Sequence, residues 1–167
     1  MKINRKIILA SASPRRKELL EMMGLEFDIH PSQVPEHESA DSASLLAEMN
    51  AVLKAEDIAT HYDDALIIAV DTVVSCKGEL LGKPKSKDHA RRILQTLSDS
   101  TQEIYSSICI IDSKSGHKEV KTRCSRIEMD RLSDEDIEAY IRSGEGDDKA
   151  GAYAVQGLGA LFIRHIE

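Results

Sequence analysis

Six apolar residues in an unbroken row, Ala65-Leu66-Ile67-Ile68-Ala69-Val70, run directly into Asp71. Such a run reads as a buried central strand, the kind of strand that needs other elements packed over both its faces. Val73, Val74 and Cys76 continue it beyond the acid. A carboxylate at or near the end of a buried strand is costly to desolvate without a partner, a metal or a task. In open α/β sheets, sites gather beyond the carboxyl ends of strands. Asp71, with the Thr72 hydroxyl beside it, is therefore the first candidate for chemistry. A structural aspartate bonded to a turn is the alternative.

A second apolar run, within the strand expected over Lys6–Ala10, stops as abruptly, in Ser11-Ala12-Ser13. Pro14 and three cations follow, Arg15, Arg16 and Lys17, and then the periodic Leu19, Leu20, Met22 and Met23. Ser13 suits the N-cap and Pro14 the first helical position, which predicts a helix over Ser13–Met23. Free backbone N–H groups, serine hydroxyls and two arginines would then gather at a helix N-terminus, a natural anion site. A solvated basic helix start fits the same residues.

Strand and helix signals alternate along the rest of the chain. Glu26–His30 reads as a short strand, residues 31–41 as a polar loop with two prolines, and Ser44–His61 as a long helix. Lys77-Gly78 marks a hairpin turn before Glu79–Leu81, and Asp88–Leu97 is helical. Glu103–Asp112 and His117–Met129 form an antiparallel pair around Ser113–Gly116. Ser133-Asp134-Glu135-Asp136 is a capping signal for a helix reaching about Ser143. A glycine-rich loop, Gly144–Gly159, leads to a closing strand at Leu161-Phe162-Ile163. This order argues an α/β or mixed α+β fold, and 167 residues fit one domain.

Charge excludes some functions. Lys plus Arg number 22 against 29 Asp plus Glu, a net charge of −7, which speaks against a general nucleic-acid surface. Aromatics are 4% and Trp is absent, so a base-stacking platform is not expected. Cys76, Cys109 and Cys124 are far apart and odd in number, matching neither a disulfide framework nor a zinc spacing. The six histidines form no HxxxH pair. The N-terminus carries no long apolar segment, so a cytoplasmic protein without a membrane span is expected.

Against this acidic background a few cations stand out. Gly82-Lys83-Pro84 would project Lys83 from a rigid turn, although no GxxxxGK[ST] precedes it and it is not a P-loop. A carboxylate such as Asp71 with a lysine such as Lys83 is what hydrolysis of a phosphoanhydride requires. By itself GKP is more often only a turn. Lys54, between Ala51 and Ala55, reads as a solvent-facing helix lysine. Glu36 sits in the loop beside His37 and Glu38, either solvated or one acid of a metal site. Asp147–Gly159 is dense in small residues, where backbone approaches a ligand or another strand, and Gln156 could read the edge of a base. A tightly packed loop is the alternative there.

Taken together, four pieces closely resemble the Maf family of nucleoside triphosphate pyrophosphatases. They are Ser11-Ala12-Ser13-Pro14-Arg15-Arg16, Ala69-Val70-Asp71-Thr72-Val73-Val74, Gly82-Lys83-Pro84, and Asp148–Tyr153 running on to Gln156-Gly157-Leu158-Gly159. They occur in family order and at family-like spacing over nearly the whole chain. The resemblance implies a single catalytic domain over residues 1–167 with a two-lobed α/β fold like that of inosine triphosphate pyrophosphatases. That fold has a long mixed sheet, flanking helices and a central cleft. It implies cleavage of a nucleoside triphosphate to the monophosphate and pyrophosphate with a divalent metal, Mg²⁺ or Mn²⁺. By carry-over, Asp71 is the catalytic carboxylate that accepts a proton from water, and it also serves the metal. Ser11, Arg15, Arg16, Lys54 and Lys83 look like the triphosphate-binding set, and Glu36 like the loop acid near the metal.

The resemblance extends to substrate. The subgroup similar to dTTP/UTP pyrophosphatases has arginine after the Ser-Pro, threonine after the catalytic aspartate and glutamine before the late Gly-x-Gly. Here these are Arg15, Thr72 and Gln156, so dTTP and UTP are the expected substrates. Two alternatives stand beside this: the same reaction on a modified or non-canonical nucleotide, and a non-catalytic nucleotide sensor in cell division. Family members usually continue past the last strand into a segment of the Asn-Val-Val-Gly-Leu-Pro-Leu type and a closing helix, whereas this chain stops at Glu167. Truncation, or a homodimer partner replacing the lost packing, is the expectation at that point, with lowered stability or activity. Asn50-Ala51 ahead of Lys54 and Arg123-Cys124-Ser125 receive no interpretation from the sequence.

Overall fold

A computed structural model describes residues 5–167. In chain order the elements are β1 (Lys6–Leu9), α1 (Pro14–Met22), β2 (Asp28–Ile29), α2 (Ala43–Ala59), β3 (Ala65–Cys76), β4 (Glu79–Leu81), α3 (Lys87–Leu97), β5 (Thr101–Asp112), β6 (Lys118–Met129), α4 (Asp134–Ser143) and β7 (Ile163–Ile166). Short 3-10 turns at Ala150–Ala152 and Leu158–Phe162 lie between the last two. The strands belong to one mixed sheet in the order β2-β1-β3-β5-β6-β7, with β4 paired to β3. β1 runs parallel to β2 and β3, while the β3–β4 and β6–β7 pairs are antiparallel. The expected α/β class is the class observed.

By contact the chain divides into two compact units. One runs up to Asp71 and takes in Ser106–Thr122; the other comprises Thr72–Tyr105 and Arg123–Glu167. Each has its own core. In the first, Ala51, Ala55 and Ile58 of α2 cluster with Ile8, Ala10, Ala65, Ile67, Ala69, Cys109 and Ile111. Alanines on both the helix and the strand let α2 lie close to β3, which later decides what a lysine on that helix can reach. In the second, Ala90, Ile93, Leu94 and Leu97 form the buried stripe of α3 and pack with Ile137, Tyr140 and Ile141 of α4.

Among the described residues a serine stands at the N-cap of each of the four α-helices, and in three of them its side chain makes the cap bond. The side chains of Ser42, Ser86 and Ser133 accept from Leu45, His89 and Asp136 N–H, and Ser133 with Asp136 closes a full capping box. Ser13 occupies the N-cap of α1 as expected, but its side chain makes no cap bond. Its own N–H donates instead to Ser11 Oγ at 3.2 Å.

Two expectations change. β3 is a single twelve-residue strand that continues through Val73, Val74 and Cys76 as expected, which puts Asp71 in its middle and not at or near its end. The closing strand begins at Ile163, because Leu158–Phe162 forms a 3-10 turn. The N–H groups of Leu158 and Gly159 are taken by the Glu145 carboxylate and not by a neighbouring strand. Among the described residues no helix is long and apolar enough to cross a membrane.

Leu94 is fully buried in the second core. Leu94→Ala is expected to lower stability by about 2–5 kcal/mol, read as a shifted midpoint in urea unfolding. A change under roughly 0.5 kcal/mol, the size of a surface substitution, would contradict that packing.

Candidate active site

Side chains alternate along a strand, so Ala65, Ile67, Ala69 and Asp71 share one face of β3. The first three pack against α2. Asp71 continues that face and is 6% exposed. The buried stripe of α2 runs Ala47, Asn50, Ala51, Lys54, Ala55, Ile58, the i, i+3, i+4, i+7 pattern of a helix laid on a sheet. Lys54 stands within this stripe, 9% exposed, so the solvent-facing reading of it is corrected. Its Nζ donates to Asp71 Oδ1 at 2.6 Å and lies 2.6 Å from Glu36 Oε1. One ammonium thus joins the two acids that the sequence singled out, residues 35 positions apart in the chain. A buried charge is tolerated when it is paired in this way.

Glu36 is fixed through its loop. Asn50, 3% exposed and one helical turn before Lys54, holds the backbone of His37 from both sides. The His37 N–H donates to Asn50 Oδ1 at 2.8 Å, and Asn50 Nδ2 donates to the His37 carbonyl at 3.1 Å. Further along α2, Asp57 accepts from Ser32 Oγ at 2.6 Å, and Ser32 Oγ accepts from Val34 N–H. The loop from β2 to α2 is therefore tied to α2 on either side of Glu36. Asn50, left uninterpreted from the sequence, is a positioning residue of this site. The available signal was its place: two polar residues, Asn50 and Lys54, interrupt an otherwise apolar helical stripe.

At the start of α1 the first helical bond is from Lys17 N–H to Ser13 O, so the N–H groups of Arg15 and Arg16 precede the ladder. Arg16 is half-buried and donates to Ser11 Oγ at 3.0 Å, while Arg15 is exposed. Burial pushes the Arg16 guanidinium below its usual value, opposed by the negative charges of Asp71 and Glu36 and reinforced by Arg15. Ser11 itself is 8% exposed. The structure thus brings together Ser11, Arg16, Glu36, Lys54 and Asp71, with Arg15 on the same helix start. Three cations there stand against two carboxylates.

Thr72, Lys83 and Gln156 belong to the second unit. Thr72 is half-buried on β3, and Lys83 is exposed in the turn after β4. The Gly82 carbonyl of that turn accepts from Gly151 N–H at 3.2 Å, so the Gly-Lys-Pro turn and the Asp-Lys-Ala-Gly loop are joined by backbone. Gln156 is exposed.

Among the described residues no group of three or more His, Cys, Asp or Glu side chains could hold a metal ion. The available donors are two carboxylates, Glu36 and Asp71, that converge on a shared positive charge. Such a pair does not make an all-protein cage. It does fit a hard divalent cation that takes its other ligands from water and phosphate oxygens.

The chain belongs to the Maf family: the family described as Maf-like protein matches residues 6–167. A dTTP/UTP pyrophosphatase of Alkaliphilus metalliredigens is 44% identical over 163 residues, covering 96% of this chain and 84% of that one. A dTTP/UTP pyrophosphatase of Methanosarcina barkeri is 43% identical over 166 residues, covering 98% and 84%. In fold the chain is similar to the Ham1 protein of Staphylococcus aureus, with a TM-score of 0.54 and 17% identity over 75% of this chain and 72% of that one.

Two outcomes are expected of the site. Lys54→Met strands Asp71 without its cation and should cost about 3–5 kcal/mol in urea unfolding, whereas Lys54→Met combined with Asp71→Leu should recover part of that loss. No difference between single and double variants would contradict a buried pair. Asn50→Ala should speed hydrogen exchange at the His37 amide by about 5- to 150-fold, from the loss of roughly 1–3 kcal/mol of local protection. Unchanged exchange there would remove Asn50 from the loop's anchoring.

Proposed function

We propose that this protein is a nucleoside triphosphate pyrophosphatase that hydrolyses dTTP and UTP to the monophosphate and pyrophosphate. The observation that carries the reading is the Lys54 ammonium held between Asp71 and Glu36, in one unit with Arg16 and the N-terminus of α1. Relatives at 40–44% identity named as dTTP/UTP pyrophosphatases support the substrate.

Roles follow from chemistry. The reaction breaks the α–β phosphoanhydride. Asp71 accepts the proton of the attacking water, and a positioned carboxylate base of this kind typically contributes about 10²–10⁴-fold. Ser11, the free N–H groups at the start of α1, Arg15, Arg16, Lys54 and Lys83 bind the triphosphate and offset the charge that develops on its oxygens. Arginine serves here through its fork of fixed donors, lysine as a point charge. When bound, Mg²⁺ or Mn²⁺ held by Asp71 and Glu36 would supply charge neutralisation on the phosphates. Thr72 and Gln156 face the choice of nucleotide: an amide offers one donor and one acceptor, the complement of the ring N–H and carbonyl of uracil or thymine. A cytoplasmic role in controlling the nucleotide pool accords with this activity.

The test is hydrolysis of canonical and modified nucleoside triphosphates with Mg²⁺ or Mn²⁺, scoring pyrophosphate and orthophosphate separately. Pyrophosphate release from dTTP and UTP is expected, with kcat lowered about 10²–10⁴-fold in Asp71→Asn and KM changed far less. A folded wild-type protein that turns over no nucleotide would overturn the enzyme reading and leave nucleotide sensing in its place.

A further inference from the structure

Gln156 lies in a segment whose backbone is held from both sides by two side chains outside the assembled site. Tyr140, on α4, is 4% exposed and stacks edge-on against Phe162 with ring centroids 5.1 Å apart. Its hydroxyl accepts from Ala154 N–H at 3.0 Å and donates to Glu145 Oε2 at 2.7 Å. Glu145 then accepts from Leu158 N–H through Oε1 at 2.9 Å and from Gly159 N–H through Oε2 at 3.0 Å. A relay of one hydroxyl and one carboxylate therefore grips the chain two residues before Gln156 and two and three residues after it.

The backbone at this place is shaped to the carboxylate. Gly157 has φ +132°, and a Cβ there would run into Glu145 Oε1 and Cδ. A Cβ on Gly159 would run into the Ala154 carbonyl, so the two ends of the segment lie against each other. The Gly-x-Gly after Gln156 thus has a physical cause: the chain must pass the acid and then close on itself with no side chain between. Gln156, between the two ends of this closed segment, stays exposed.

The protonation states agree with the geometry. Burial and the Glu145 contact hold the Tyr140 hydroxyl far above the usual tyrosine value, so it remains a donor. Burial alone would raise Glu145, but the Tyr140 hydroxyl and the Leu158 and Gly159 N–H groups outweigh it and hold the carboxyl below its ordinary value. An ionised carboxylate accepts on both oxygens, and these charge-assisted bonds are the stronger kind.

We propose that Tyr140 and Glu145 are positioning residues for nucleotide choice, acting by fixing the backbone that presents Gln156 to the base. The inference rests on Gln156 as the reader of the pyrimidine edge. A long, flexible amide discriminates between bases only if its anchor is fixed, since a displacement of about 1 Å can cost up to about 10²-fold in rate. Neither Tyr140 nor Glu145 needs to touch the nucleotide.

The measurement is kcat/KM for dTTP and UTP beside ATP, GTP and CTP, for Tyr140→Phe, Glu145→Gln, Gln156→Ala and Tyr140→Phe combined with Gln156→Ala. Tyr140→Phe keeps the ring on Phe162 and removes only the hydroxyl, so it serves where Glu145→Gln does not fold. Expected are a fall of about tenfold for dTTP and UTP through KM, a change under about twofold for the other nucleotides, and no further loss of selectivity when Tyr140→Phe is added to Gln156→Ala. An equal fall for all nucleotides, or intact selectivity in both relay variants while Gln156→Ala loses it, overturns the proposal. Selectivity intact in Gln156→Ala itself overturns the reading of Gln156 on which it stands.

Discussion

One lysine sets the terms for the first unit. A buried ammonium is stable only in contact with anions, and Lys54 meets Asp71 from the strand and Glu36 from the loop, each at 2.6 Å. That geometry depends on alanines. Ala51 and Ala55 flank Lys54 on α2, and Ala65 and Ala69 precede Asp71 on β3, so helix and strand approach closely enough for the side chains to meet. Larger residues at these positions would fill the same interface and separate the pair. The small residues of this core therefore do more than pack; they determine the reach of the ion pair.

The sequence carried the elements better than it carried the contacts. Strands and helices were legible because their signals are local: apolar runs, serine caps and the Lys77-Gly78 turn act within a few residues. From its neighbours alone Lys54 reads as solvent-facing, and only the family resemblance groups it with a site, because which face of the helix is covered depends on a strand more than ten residues later. Asn50 was opaque for the same reason, since its partners are backbone groups of His37 and have no residue signature. Asp71 is legible as a candidate, and so is the continuation of its strand through Val73, Val74 and Cys76; what differs is the placing at or near the strand end, since the carboxylate stands in the middle of twelve residues.

The loop after α4 shows another limit. Small residues over Asp147–Gly159 signal close approach to a ligand or another strand. The approaching group is an acid, Glu145, which sits at the head of the same loop and binds its far end. Its N–H is in turn held by Ser143 Oγ at the end of α4. Because the donors are backbone N–H groups of Leu158 and Gly159, the pattern that a sequence can reveal is only the absence of side chains at Gly157 and Gly159. The 3-10 turn that replaced the expected start of the last strand has this cause as well.

Three acids in this chain illustrate how surroundings divide labour among chemically similar groups. Asp71 is buried and its negative charge is balanced by the ammonium of a lysine side chain that is itself buried. Glu36 is half open to solvent, its loop fixed through Asn50 and its carboxylate against the same lysine. Glu145 is satisfied by backbone donors and a tyrosine hydroxyl, partners that a substrate does not displace. The first two carboxylates share one side-chain cation, whereas the third is saturated by donors built into the fold. The identity of the donor, ammonium or backbone amide, separates carboxylates that balance a buried charge from one that holds the chain in place.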